Sequence, residues 1–304
     1  MNKLIKKIKI ISLVVLLVSS ICSIGWIPSL SALTIDEHTP VLYYNFDDES
    51  AVDQMGNYSG TLINEPQFIN GKSDFGKAMK VTGKSYLQLP ANFKLSNQDF
   101  TLSFLVQSLE TKNDTVLFAN KDGVSGNADG FAIMNYNGVF GNVGYNGNRY
   151  DTSSYSRDET VLDGKWHHVV ITADRDQSLA LYVDGRLSSE NKSFSELAGI
   201  SLDTASNYVL GAGSTGEYLQ GALYDEFMVY DAALSLEEIQ SLYLKYADDV
   251  GTELQEQLDA LTAGEVRVSL GADLEMKARA VTTFIESQLD DSLGVSVAAW
   301  MVND

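Results

Sequence analysis

Short apolar runs, each bounded by Gly, Asn, Asp or Pro, recur along the middle of the chain and set its expected fold. Trp166–Ala173 (WHHVVITA) and Leu179–Val183 (LALYV) are rich in β-branched and aromatic residues. Asp174, Arg175, Asp176, Gln177 and Ser178 separate them, and Asp163-Gly164 and Asp184-Gly185 close the outer ends. Polar turn chemistry around two such runs predicts a β-hairpin. Further strands are predicted at Val41–Phe46, Ala78–Val81, Tyr86–Leu89, Phe100–Val106, Thr115–Ala119, Phe131–Met134, Tyr208–Leu210 and Leu223–Tyr230. Asn135–Ser156 mixes Asn, Gly, Tyr and Ser with a few apolar residues, which reads as loop or edge-strand chemistry. Many short strands with almost no helical periodicity predict an all-β sandwich.

The periodicity changes at Ser235. Ser235 and Glu238 have capping-box spacing, and Leu236, Ile239, Leu242 and Tyr243 form an apolar stripe, so a helix is predicted to end near Tyr246. Asp248, Asp249 and Gly251 mark a boundary. Beyond it, Glu253–Leu261 reads as helix, Glu265–Leu270 as strand, Asp273–Leu289 as amphipathic helix and Val295–Val302 as buried strand. So few elements cannot close a core of their own. The segment 252–304 is therefore expected to be a small α/β appendage or, the favoured reading, the start of a domain that continues past residue 304.

The first residues have a separate logic. Met1–Lys9 is basic, Ile10–Ile21 is an apolar run shorter than a membrane span, and small residues lead to a cleavage point after Ala32. Residues 1–32 are expected to be a secretory signal peptide, which makes the product secreted or extracellular, with cell-surface association as an option. The one cysteine, Cys22, lies in this leader, so no disulfide or cysteine-based site is expected afterwards. An exported chain of this kind is most simply bacterial. The formal net charge of -20 opposes nucleic acid and anionic lipid as partners. It suits neutral or cationic ligands and divalent metal ions.

Four stretches carry a family likeness: GKWHHVVITADRDQSLALYVDG from Gly164, FGKAMKV from Phe75, FTLSFLV from Phe100 and GALYDEFMVYDAALSLEEIQSLY from Gly221. In this order they resemble laminin-G-like domains of the concanavalin-A-like lectin and glucanase fold. Phe46-Asp47-Asp48 and the acidic, Gly/Asn-rich loop after it are similar to the opening pattern of that family. The likeness spans roughly Val41 to Tyr246. It implies a two-sheet antiparallel jelly roll over residues 40–248, with first and last strands adjacent. It also implies glycan or protein binding, frequent attachment to secreted hydrolases, and a structural calcium ion near those two strands.

Calcium is a hard cation that takes six to eight oxygen ligands. If the first and last strands pair, Asp47 and Asp225, with Asp48 and Glu226 next, converge from distant sequence. These four are the expected calcium ligands. The expected ligand surface is Tyr136, Asn137, Tyr145, Asn146, Arg149 and Tyr150, flanked by Tyr155 and by the loop holding Asp122, Asn127 and Asp129. Aromatic rings stack on sugar C–H faces, while amides and guanidinium bond the hydroxyls.

Other chemistry is disfavoured. Adjacent strand residues face opposite sides, so His167 and His168 cannot serve one site and are expected to pack structurally. The glucanases of this fold carry Glu-x-Asp-x-(x)-Glu on one strand, placing two carboxylates about 5 Å apart for retaining chemistry. No such motif occurs here. GNVGYNG from Gly141 opens no helix and follows no parallel-sheet pattern, so it is not a phosphate loop. The expectation is a non-catalytic binding module for carbohydrate or a surface glycoconjugate, with no membrane insertion. Two alternatives stay open: the targeting module of a longer secreted hydrolase, and a protein-binding adhesin module.

Overall fold

The computed structural model describes residues 38–247, apart from 113, 122–126, 153–159 and 218–219. The leader, the segment 252–304, Asp122 and Tyr155 lie outside the described residues. His38–Tyr243 form one compact unit.

Fifteen strands are found among the described residues, in two antiparallel sheets. The first sheet contains β1 (Leu42–Tyr44), β3 (Gln67–Asn70), β4 (Lys77–Val81), β6 (Phe100–Ser108), β11 (Trp166–Ala173), β12 (Leu179–Val183), β13 (Arg186–Asn191) and β15 (Ala222–Tyr230). Its order is β13-β12-β11-β6-β15-β4-β3, with β1 also paired to β15. The second sheet contains β2 (Thr61–Ile63), β5 (Tyr86–Gln88), β7 (Thr115–Ala119), β8 (Gly130–Asn135), β9 (Val139–Tyr145), β10 (Asn148–Asp151) and β14 (Val209–Leu210). Its order is β10-β9-β8-β7-β14-β5-β2. The predicted hairpin is β11–β12, with Ile171 opposite Leu181. First and last strands are adjacent, Tyr44 lying opposite Phe227.

Period-two alternation builds the core. Leu102, Phe104 and Val106 of β6, Val169 and Ile171 of β11 and Phe227 of β15 point inward and meet Leu117, Phe131, Ile133 and Val143 of the other sheet. Phe118 of β7 joins the layers: its ring centroid lies 5.5 Å from those of Tyr208 and Phe227 and 6.2 Å from that of Phe131. Phe227 in turn meets Tyr44 at 6.0 Å and Phe104 at 6.1 Å.

The outer face of the first sheet is covered as well, which is why β6 carries no charged residue and Val169–Ala173 of β11 are buried on both faces. After β15 the chain folds back, and Thr101 bonds both Ala232 O and Leu234 N. The helix α1 (Leu236–Tyr246) follows. Its capping box forms as predicted: Glu238 Oε2 accepts from Ser235 N at 2.8 Å, and Ser235 Oγ accepts from Glu238 N at 3.3 Å. The Tyr243 ring stacks on His168 at 6.4 Å.

The turn between β11 and β12 holds more than solvated charge. Arg175 is buried, donates to Leu197 O at 2.6 Å and to Ile200 O, and lies over the Phe194 ring. Burial depresses its basicity against the opposing pull of Asp99. This residue fastens the hairpin turn to the short helical turn Lys192–Leu197.

Candidate functional site

One edge of β15 is shared by two strands. β4 pairs with its first half, Ala222 to Tyr224, and β1 with its second half, Phe227 to Val229. Between these halves the register against β6 shifts, and Glu226 has φ 50. A bulge of this kind breaks the two-residue alternation. Tyr224 and Phe227 both remain in the core, so Asp225 and Glu226 occupy the interval together. The end of β1 and the β3–β4 turn close on the same interval. Asp47 Oδ1 accepts from Lys77 N at 2.9 Å, and Gly71 N donates to Gly76 O at 2.8 Å across the turn. An open cleft results, lined by Tyr43, Asp47, Gly76, Lys77 and Glu226 among others.

The electrostatics of this junction are unbalanced. Asp225 is fully buried. Its Oδ1 accepts from Glu226 N at 2.8 Å, but its Oδ2 has no hydrogen-bond partner. Burial, followed by the nearby charges of Glu226 and Asp47, pushes its carboxyl up to about 9. Tyr43 is raised beyond the ordinary phenol range, first by burial and then by Glu226. The backbone leaves room only for these carboxylates. A Cβ at Gly76, where φ is +73, would lie 1.7 Å from Asp47 Oδ1, and one at Gly71 would lie 2.5 Å from Asp225 Oδ2.

These residues fit a hard divalent cation: carboxylates from separate elements, a buried carboxylate oxygen without a donor, and a glycine turn that lets the backbone pass close to both Asp47 and Asp225. Asp47, Asp225 and Glu226 could hold such an ion. Among the described residues, no group of three or more His, Cys, Asp or Glu side chains is close enough to form a metal site by itself. The carboxylates would therefore need main-chain or solvent oxygens to complete a coordination sphere. Asp48 is not brought to this group. It is exposed, and its Oδ1 accepts from Ser50 Oγ at 2.7 Å, because the chain turns at Phe46 and Glu49, both at positive φ.

The residues expected to form a ligand surface are divided by the structure. Tyr136 and Asn137 occupy the β8–β9 turn, whereas Asn146 occupies the β9–β10 turn at the opposite end of β9. Seven residues of strand put these turns roughly 20 Å apart. Tyr145 and Tyr150 are half-buried and pack against the core, so their rings are not free platforms. At this end Arg149 is exposed and rests on a largely buried polar row. Arg149 donates to Asp151 Oδ2 at 2.5 Å, Asp151 Oδ1 accepts from Asn142 at 2.5 Å, and Asn142 Oδ1 accepts from Lys121 Nζ. Burial lowers the Lys121 amine to about 8. Asp129 joins the group by accepting from Asn146 N at 2.8 Å. Lys121 and Asp151 are the members that the composition of the segment did not reveal.

A family model described as the concanavalin A-like lectin/glucanases superfamily, of laminin G type, matches residues 81–240, more than half of the chain. The chain belongs to this superfamily. The matched residues include Asp225 and Glu226 but not Asp47. Domain 4 of AbnA, an extracellular GH43 arabinanase from Geobacillus stearothermophilus solved with arabinotriose, is 22% identical with a TM-score of 0.55. That match covers 68% of this chain and 99% of the domain. The binding domain of Paraclostridial Mosquitocidal Protein 1 is 21% identical, with a TM-score of 0.54, over 68% of this chain and 52% of that one. The ligand-binding domain of botulinum neurotoxin serotype D, solved with N-acetylneuraminic acid, is 18% identical with a TM-score of 0.52, over 68% and 50%. The chain thus spans about half the length of the two toxin domains, and what it shares with all three is the fold. A comparison with curated proteins gives no match.

In this superfamily member the two strand histidines have different surroundings. His168 is buried, accepts or donates at Nε2 to Ser103 Oγ at 2.8 Å, and is lowered by burial to about 4. His167 bonds Asp184 through Nδ1 at 2.8 Å and Asp163 through Nε2 at 3.0 Å. Burial alone would make it less basic, but Asp184 and then Asp163 outweigh that and raise it above 6.5. The raised value makes the charged form the folded partner. Its contribution to stability is fully present below about pH 6.5 and is lost as pH rises through the higher folded value. The gap in denaturation midpoint between the wild type and His167→Asn is therefore expected to narrow from pH 6 to pH 9. A gap independent of pH would contradict the charged clamp.

Proposed function

We propose that residues 40–248 are a secreted, non-catalytic binding module for carbohydrate or a glycoconjugate, stabilised by calcium. The observation that carries the ligand reading is the braced polar row at the β9–β10 end. Arg149 is half-exposed yet fixed by Asp151, which is fixed in turn by Asn142. Donors held in place before a sugar arrives lose little entropy on binding it. The superfamily, and neighbours solved with arabinotriose and N-acetylneuraminic acid, support this class of ligand. The leader supports an extracellular location. Among the described residues no helix is long and apolar enough to cross a membrane.

In the calcium part of the reading, Asp47 and Asp225 hold the ion with Glu226 beside them. The ion would supply positive charge beside these carboxylates, completing its sphere with other oxygens, and would tie the end of β1 to the β15 bulge.

The test is glycan-array screening of the full chain with calcium, followed by calorimetry on the best oligosaccharide. Arg149→Ala is expected to weaken binding at least tenfold, whereas Tyr136→Ala, at the far end of β9, leaves it unchanged. Equal affinity for wild type and Arg149→Ala would overturn the placement. A targeting role within a longer hydrolase is the second reading, favoured by the full-length match to one domain of an arabinanase.

A further inference from the structure

The acidic junction contains one contact that neither pairing nor core packing explains. The Tyr43 hydroxyl donates to both oxygens of Glu226, at 2.8 and 2.9 Å. In sheet register Tyr43 lies opposite Met228, not Glu226. The side chain reaches back along β15 to the bulge. Leu42 and Tyr44, its neighbours in β1, are core residues, so alternation puts the Tyr43 ring on the outer side, where it lines the cleft.

Tyr43 is fixed at its other end too. Its backbone N–H donates to Asp53 Oδ1 at 2.9 Å. Asp53 is buried and also accepts from the amides of Met55, Asn57 and Tyr58. The ring therefore stands between a braced main chain and the carboxylate it holds. Glu226 gains most from this. It sits at φ 50, a costly conformation for a residue with a Cβ, and its side chain has three rotatable bonds beside two other carboxylates.

We infer that Tyr43 is a positioning residue of the acidic site, holding Glu226 in the orientation in which it completes, with Asp47 and Asp225, the oxygen set offered to a divalent cation. This rests on the calcium reading above. A carboxylate oxygen has two lone pairs, so it accepts the phenol and still faces an ion. Hydrogen-bond partners behind a metal ligand are typically worth about 10- to 100-fold in metal affinity.

The experiment uses the full chain, calcium chloride in calorimetry, and terbium as a luminescent probe excited through tyrosine. Tyr43→Phe is expected to bind calcium about 10- to 100-fold more weakly than wild type, and to lose sensitised terbium emission even at saturation. Glu226→Gln is expected to weaken binding as well. The double variant Tyr43→Phe/Glu226→Gln is expected to be no weaker than Glu226→Gln, because Tyr43 acts through that carboxylate. Melting in chelator checks that each variant folds. Unchanged calcium affinity in Tyr43→Phe, or additive losses in the double variant, overturns this inference alone. A wild-type chain that binds neither calcium nor terbium overturns the calcium reading together with it.

Discussion

Calcium is expected to raise the melting temperature of the chelator-treated protein, and Asp225→Asn is expected to abolish that response. Binding to the folded state alone contributes RT ln(1 + [L]/Kd), about 2.7 kcal/mol at a hundredfold excess of free ion over Kd. For a domain near 200 residues, each kcal/mol moves the midpoint by roughly 2–4 °C, so the rise is on the order of 5–10 °C. The reason lies in Asp225. Its carboxyl is buried beside Glu226 and Asp47 and titrates at about 9, so without metal it keeps its proton at neutral pH. Asparagine is close in shape and charge to that protonated acid. The variant is thus expected to melt in chelator at or slightly above the wild type while showing no rise with calcium. The sign of the pH effect follows. The metal-free wild type binds a proton that the unfolded chain gives up near 4, so its stability falls as pH rises from about 4 to about 9. Calcium must displace that proton, so its affinity rises over the same range. Differential scanning calorimetry with chelator, then with calcium, at pH 6 and 8 checks each part. A wild-type midpoint indifferent to calcium would remove the ion from this junction.

Phe118→Ala is expected to be the most damaging single truncation in the core, costing about 3–5 kcal/mol. The side chain is fully buried, and its ring touches Tyr208 and Phe131 on its own side and Phe227 from the opposite sheet. Removing it loses burial and leaves a void between layers that the β-branched and aromatic neighbours cannot refill without leaving their rotamers. Aromatic pair contacts add to the loss. Urea denaturation at fixed calcium reads the free-energy loss, and a thermal melt under the same conditions is expected to shift down by on the order of 10 °C. Phe118→Leu keeps most of the volume and is expected to cost far less. Equal costs for Ala and Leu would mean that the void closes and that the sheets are not locked by this ring. Truncating exposed Leu187 at the β12–β13 edge, 53% exposed, serves as the control and is expected to be near neutral.

The sheets were legible in the chain wherever burial is written as composition. β7 is Thr115–Ala119 and β11 is Trp166–Ala173, as predicted, because runs buried on both faces are dominated by apolar and β-branched residues, here Val116–Ala119 and Val169–Ala173. The helix start at Ser235–Glu238 was legible because a capping box satisfies its own amides locally. Five strands were not legible. β9 contains Gly141 and Gly144, and β10 is Asn-Arg-Tyr-Asp, residues that local propensity assigns to loops. Their strand conformation comes from ladder bonds, β9 to β8 and β10 to β9, and in β9 from room that only glycine leaves: a Cβ at Gly141 would lie 2.1 Å from Ile171. β2, β3 and β13 are short or solvent-facing, and pairing rather than pattern makes them strands.

The same division holds for the chemistry. Sequence alone placed one acidic stretch at the end of the first strand and another within the last strand. It could not show that β15 is bulged, since a bulge is defined by the partner's register and not by its own residues. Only the tertiary structure brought Asp225 and Glu226 into one interval, buried Asp225, sent Asp48 to Ser50 and set Tyr43 on Glu226. It also separated Tyr136 from Arg149 by the length of β9. Period and turn chemistry are local and can be read along the chain. Desolvation and the meeting of charges depend on what the fold places opposite them.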